Sequence, residues 1–225
     1  IALLETGVDF EHKIIDLKNK PDEFVNKYRT ANNGYGSGLV PLLEHGDDLV
    51  IESDAVAKYV AQNVAVTDAM YPVDSSSEQQ HIIDDFLQLW SSVTDKYYEL
   101  LCATGEEDVK NCEAIFLNLL HHVEEKLTKS TCEKKEGDFV IGKTFSVAEC
   151  ICAPWIQRFF VTLPYFRGID FESEILGELP MTKKWMKAVC ARESVIQSKC
   201  PEEEMLDAAR RYYVSFVSPG APGHL

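Results

Sequence analysis

No stretch of this chain is apolar for long enough to cross a bilayer; the longest runs, such as Ala114 to Leu120, are short and interrupted. Basic residues are in deficit, with 22 Lys and Arg against 37 Asp and Glu, a net charge of -15, and no local basic patch. Phosphate backbones and anionic lipid surfaces repel such a chain, which argues against nucleic acid as a partner and predicts no membrane span. Paired cysteines are missing too. The seven, at 102, 112, 132, 150, 152, 190 and 200, contain no Cys-x-x-Cys and no metal-ligand spacing, so no metal is expected. Most fall on apolar faces of predicted helices and read as buried free thiols, which points to a reducing compartment, cytoplasm or an organelle stroma. Cys150 and Cys152 stand two apart within a helical run and so point away from each other. His121 and His122 are adjacent on a helix and face different directions, which defeats chelation. No initiator methionine, capping residue or signal peptide precedes Ile1-Ala2-Leu3-Leu4-Glu5, which reads as the end of an amphipathic helix stopped by Gly7. The expectation is a piece of a longer protein, with any targeting peptide outside it.

What is present suits a globular protein. At 225 residues and 45 % hydrophobic, the chain is long enough for one large domain or two small ones. Residues 8 to 17 read as a strand, Pro21 to Tyr28 as a short helix, and the Asn32-to-Gly38 segment as a mobile connector. A strand over Leu39 to Leu43, a tight turn at His45-Gly46-Asp47-Asp48 and a second strand from Leu49 to Ile51 form a hairpin. Tyr71 to Ser77 has the composition of a linker. Everything beyond has helical period: Ile83, Phe86, Trp90, Val93, Tyr97 and Leu100 form one stripe, and Cys112, Phe116, Leu119, Val123 and Leu127 another. Two long helices should pack face to face through these residues. The acidic runs at Glu106 to Asp108 and Glu202 to Glu204 fall at predicted helix starts, where the dipole favours them.

Two places carry chemistry. Pro41 cannot donate to a ladder, so it belongs at a sheet edge or in a special turn, the setting in which cis X-Pro bonds occur. The backbone of Val40 is thereby left to pair with a ligand. Ser53 is placed to cap a helix whose apolar stripe is Ala55, Val56, Tyr59 and Val60, and the unpaired amides and dipole at that end attract a carboxylate.

Val40-Pro41-Leu42-Leu43-Glu44 followed by Glu52-Ser53-Asp54-Ala55-Val56-Ala57-Lys58-Tyr59 resembles the glutathione site of the glutathione transferase family. The resemblance implies an α/β, thioredoxin-like domain over residues 1–66 without its first strand, a linker at 67–78, and an all-helical domain over 79–225. It implies that Val40 and Pro41 hold the middle of glutathione, and Glu52 and Ser53 its γ-glutamyl end. Lys27 or Arg29 would reach the glycine carboxylate. The residue that activates the thiol, a Tyr, Ser or Cys, would lie about two helical turns before Ile1, so no catalytic residue is expected within the chain.

A second match supports the first. Phe139-Val140-Ile141-Gly142 precedes Ser146-Val147-Ala148-Glu149, a capping box by its own chemistry. It resembles the start of the central helix of the family's second domain, with Glu in place of Asp. Pro154-Trp155-Ile156-Gln157-Arg158, Leu179-Pro180 through Trp185, and the tail from Tyr212 to Pro219 resemble the omega class, and the lambda class shares much of this pattern. Both classes imply thiol transfer or dehydroascorbate reduction through a low-pKa cysteine, with a small electrophile or mixed disulfide beside glutathione; Arg158 reads either as lining the second-substrate side or as a helix-surface or buried ion-pair arginine. Two readings stand open: such an enzyme, or a non-catalytic scaffold or accessory subunit keeping the fold. A homodimer and a subunit of a larger assembly are both compatible with the sequence.

Overall fold

The computed structural model describes residues 1–66, 68–72, 77–132 and 136–212. The first helix, α1 (Ala2–Thr6), stops at Gly7, whose φ of 69° is left-handed. Residues 8–17 form no strand. Val8 N–H is taken by Thr6 Oγ1, and Asp16 closes its own turn by accepting from the Lys18 amide, so the alternating segment has no ladder to join. Ile14 is left 87 % exposed.

Helix α2 (Asp22–Ala31) follows, and the glycine-rich loop folds back onto it rather than swinging free. Arg29 Nε donates to the Gly36 carbonyl at 3.1 Å, Asn32 Nδ2 to the Tyr35 carbonyl at 3.2 Å, and Lys20 Nζ to the Ser37 carbonyl at 3.2 Å. The hairpin joins β1 (Leu42–His45) to β2 (Asp48–Ile51), antiparallel, with Leu42 opposite Ile51 and His45 opposite Asp48. The first strand begins at Leu42, not Leu39, since Pro41 has no N–H to pair. Helix α3 (Ser53–Asn63) buries Ala57, Val60 and Ala61. A short turn at Asp68–Met70 leads to Tyr71, which is buried, its hydroxyl shared between both Asp84 oxygens at 2.9 and 3.0 Å. The expected linker is therefore packed at its first residue; residues 73–76 lie outside the described ones.

The remainder is helical. The long pair α4 (Glu78–Cys102) and α5 (Glu106–Cys132) packs side by side, and α6 (Val147–Arg167) lies against α4 through rings from both expected stripes. Trp90, Phe159, Phe116 and Phe171 meet in tilted and edge-on pairs, each such pair adding about 0.5–1.5 kcal/mol beyond its burial. Turns at Phe171–Ile175 and Leu176–Glu178 connect to α7 (Pro180–Cys190), α8 (Glu193–Gln197) and α9 (Glu202–Tyr212). The acidic runs do stand in the first turns of α5 and α9. Beyond Tyr212, the tail lies outside the described residues. Among the described residues no helix is long and apolar enough to cross a membrane, and none of their side chains cluster as a metal site.

Two carboxylates, Glu149 buried and Glu124 half-buried, organise helix ends. Ser146 caps α6, accepting from the Ala148 amide, while Glu149 reaches back to accept from Ser146 N–H at 2.8 Å, Ser146 Oγ at 2.6 Å and Val140 N–H at 2.7 Å. Burial pushes the Glu149 carboxyl up, and these donors only partly oppose it. At the start of α7 the side chains of Leu179 and Pro180 supply no cap. Glu124 of α5 serves instead, accepting from the amides of Met181 and Thr182 at 2.9 and 2.7 Å and from Thr182 Oγ1 at 2.8 Å.

Candidate functional site

The hairpin brings the two chemically suggestive segments together. Since Leu42 pairs with Ile51, the chain enters through Val40-Pro41 and leaves through Glu52-Ser53 at the same open end. The Val40-Pro41 bond is cis. Val40 is 50 % exposed, and among the described residues its N–H and C=O have no backbone partner. Pro41, Glu52 and Ser53 are exposed as well, so none of the described residues fills this end.

The helix start differs from expectation by one residue. Glu52, not Ser53, is the N-cap, and it holds φ 69° and ψ 126°, a region a non-glycine residue occupies at a cost of about 1–3 kcal/mol. Ser53 is the first helical residue. Its hydroxyl donates to Asp54 Oδ1 at 3.3 Å rather than capping an amide. The Glu52 carbonyl accepts from Val56 N–H at 2.8 Å, which leaves the amides of Ser53, Asp54 and Ala55 without intrahelical partners and facing solvent. Free N–H groups stand beside the Asp54 carboxylate. Such a surface suits a zwitterion, whose carboxylate meets the amides and whose ammonium meets Asp54.

At its far end the hairpin is tied to α3. Tyr59 Oη donates to Asp48 Oδ2 at 2.5 Å and, with that proton committed, accepts from His45 Nδ1 at 3.0 Å. The bond to Asp48 holds the Tyr59 phenol above its ordinary pKa. His45 and Asp48 are the pair that closes the turn, so Tyr59 clamps the hairpin against the helix that begins at Ser53.

Neither basic residue proposed for the glycine carboxylate is free. Lys27 Nζ sits 2.8 Å from both Glu23 and Glu44, and those hydrogen bonds, Glu23 first, raise its pKa. Arg29 is spent on the Gly36 carbonyl. Arg158 lies on α6, its guanidinium 4.6 Å from the centre of the Trp155 ring, which in turn meets Tyr98 edge-on at 5.3 Å. Arg29, Arg167, Arg192 and Arg210 each donate to an oxygen; Arg158 has no oxygen partner among the described residues. No hydrogen bond joins it to the residues around Val40 and Ser53.

Five of the thiols are held in the protonated form. Burial pushes up Cys102, Cys150, Cys152, Cys190 and Cys200, Cys152 most strongly, where Glu149 adds to the effect. Sequence reasoning missed the role of Asp54 and the Tyr59 clamp. Asp54 could have been found from its place in the first turn beside Ser53, but Tyr59 could not, since its four-residue spacing with apolar neighbours marks it as core.

Comparisons with known proteins bear on the fold that carries this site. Residues 1–62 match the family model for the glutathione S-transferase N-terminal domain. The chain is 25 % identical over 207 residues, 92 % of its length and 83 % of the relative's, to the probable glutathione S-transferase DHAR1, cytosolic, of Oryza sativa subsp. japonica. Its fold is that of glutathione transferase Omega 3C from Trametes versicolor, with a TM-score of 0.70 at 20 % identity, covering 93 % of this chain and 83 % of that one. It is also that of Chlamydomonas reinhardtii dehydroascorbate reductase, with a TM-score of 0.64 at 17 % identity, covering 94 % and 86 %. A thioredoxin-like N-terminal part with a two-stranded sheet among the described residues, followed by a mostly helical part, is the architecture these proteins share. The first 62 residues are thus similar to the glutathione S-transferase N-terminal domain, and the chain as a whole has the glutathione transferase fold.

Proposed function

We propose that this chain binds glutathione across the open end of the hairpin and belongs to a thiol transferase or dehydroascorbate reductase of omega or lambda type. The observation that supports it most is the free Val40 backbone standing opposite the unpaired amides of Ser53, Asp54 and Ala55. In this reading Val40 N–H and C=O pair with the cysteinyl unit, Pro41 shapes the approach, and Glu52 holds the turn that aims the amides. Ser53 and the amides take the γ-glutamyl carboxylate and Asp54 its ammonium. Arg158, unmatched by a carboxylate and backed by Trp155, faces the second substrate, a small electrophile or mixed disulfide. The compartment is reducing, cytoplasm or organelle stroma.

The nucleophile is a cysteine thiolate on the N-terminal side of α1. It attacks the glutathionyl sulfur of a mixed disulfide, forming a protein–glutathione disulfide and expelling the other sulfur as a thiolate that takes up a proton. A second glutathione thiolate then attacks that disulfide, yielding glutathione disulfide and the restored cysteine thiolate. A non-catalytic scaffold on the same fold is the second reading.

Calorimetric titration with glutathione tests the site. Ser53→Ala is expected to weaken binding by about 1–3 kcal/mol if its hydroxyl meets a charged carboxylate, and Asp54→Asn to weaken it by loss of the ammonium partner. S-methylglutathione should bind as glutathione does. Unchanged affinity in both variants would remove the site. Turnover of a glutathionylated peptide by the protein carrying its upstream segment separates enzyme from scaffold.

A further inference from the structure

Glu5, on the short α1, is joined to a residue 187 positions away. Its carboxylate accepts from Arg192 Nε at 2.9 Å and Nη2 at 2.7 Å, a two-pronged charge-assisted contact, and from Ser194 Oγ. The Glu5 side chain is only 7 % exposed and Ser194 is buried, while the Arg192 side chain is 45 % exposed, so the carboxylate is shielded and the guanidinium reaches it from the surface. Arg192 does more than neutralise Glu5. Its guanidinium lies 5.2 Å from the centre of the Phe145 ring, next to the Ser146 cap of α6, and it immediately precedes α8. One side chain thus gathers α1, the start of α6 and the start of α8.

The other face of α1 packs on α3. Ile1 and Ala2 press against the shared core, and α3 itself packs on α6. Any displacement of α1 from α8 must therefore be felt by α3, whose first turn holds the unpaired amides. The hairpin is coupled in turn through Tyr59. Nothing else joins α1 to the last helices by a side-chain hydrogen bond among the described residues.

We infer that Glu5 and Arg192 form an interdomain latch that positions α3, so that the seating of the helical part on α1 sets the geometry of the glutathione site. This rests on the glutathione reading for its consequence, but not for its mechanism. Glu5 and Arg192 are positioning residues and touch no ligand. The latch makes affinity at the hairpin end depend on a contact contributed by the far end of the chain.

Amide hydrogen exchange on the intact chain, paired with glutathione titration, tests it. In Glu5→Gln, which keeps the shape but removes the charge, the α3 amides should exchange about tenfold faster while those in the centres of α4 and α5 are unchanged, and glutathione affinity should fall about fivefold or more. Arg192→Lys keeps the charge but loses the fork; it serves if Glu5→Gln does not fold, and should give a smaller effect in the same place. The double variant should be no worse than Glu5→Gln alone. Acceleration confined to α1 and α8, or spread evenly over all helices, would overturn the latch. Faster α3 exchange with undiminished glutathione affinity would overturn its positioning role. If the unmodified protein binds no glutathione yet α3 loosens as described, the glutathione reading fails and the latch stands.

Discussion

The indole N–H of Trp185, on α7, donates to Glu149 Oε1, on α6, at 3.1 Å, so the carboxylate that closes the capping box also pins a second helix. Both residues are fully buried or nearly so, at 0 % and 2 % exposed. Replacing Glu149 by Leu would strand the Ser146 amide and hydroxyl and the Trp185 indole, three buried donors at about 1–3 kcal/mol each. The expected loss is at least about 3 kcal/mol in urea unfolding. Trp185→Phe, which removes one donor and some volume, should cost clearly less.

The α7 cap gives a milder case. Glu124→Ala should lower stability by about 0.5–2 kcal/mol, the usual range for a lost helix cap, and raise exchange rates at Met181 and Thr182 before any other amide of α7. Thr182→Val retains the amide bonds and should cost less than Glu124→Ala.

Acid should erase one interaction selectively. Burial alone would raise the Glu5 pKa, but the hydrogen bonds from Arg192 and Ser194 outweigh it and the net shift is downward from 4.5. A carboxyl whose folded pKa is depressed contributes stability above its unfolded value and loses it as pH falls through the folded one. The stability difference between the unmodified protein and Glu5→Gln should therefore be constant near neutrality and shrink below about pH 4.5. Equilibrium unfolding at a series of pH values measures it.

Two glycines should respond unequally to alanine. Gly7, at φ 69°, faces open space, whereas Gly38, at φ 81°, would place a Cβ 2.8 Å from Phe24. Gly7→Ala pays only backbone strain, about 1 kcal/mol, while Gly38→Ala adds a clash and should cost more, about 2–3 kcal/mol. Thermal midpoints of the two variants rank them.

The helices were legible because their apolar residues recur at three and four, and the hairpin because Gly46-Asp47 stands between apolar runs. The same local logic misread residues 8–17, where alternation was present but a partner strand was not, and a strand is defined by its partner. Ser53 was read one place too early because the helix is entered through Glu52 at a positive φ, which its side chain does not advertise. Tyr71 looked like linker beside a proline and serines, yet its hydroxyl answers Asp84 on α4. The contacts of Glu5 with Arg192 and of Trp185 with Glu149 join residues far apart along the chain, and no local pattern encodes them. At the hairpin end, the cis bond at Val40-Pro41 and the helix entry at Glu52-Ser53 lie where the local sequence puts them, on the two chain segments that flank one two-stranded turn.

The two-residue turn works as a ruler. Four cross-strand pairs separate it from the open end, so adding a single residue to either arm would offset the cis bond from the helix entry and rotate the intervening side chains onto the opposite face. Lengthening both arms together keeps that register, whereas a residue added to one arm keeps it only where the strand can bulge.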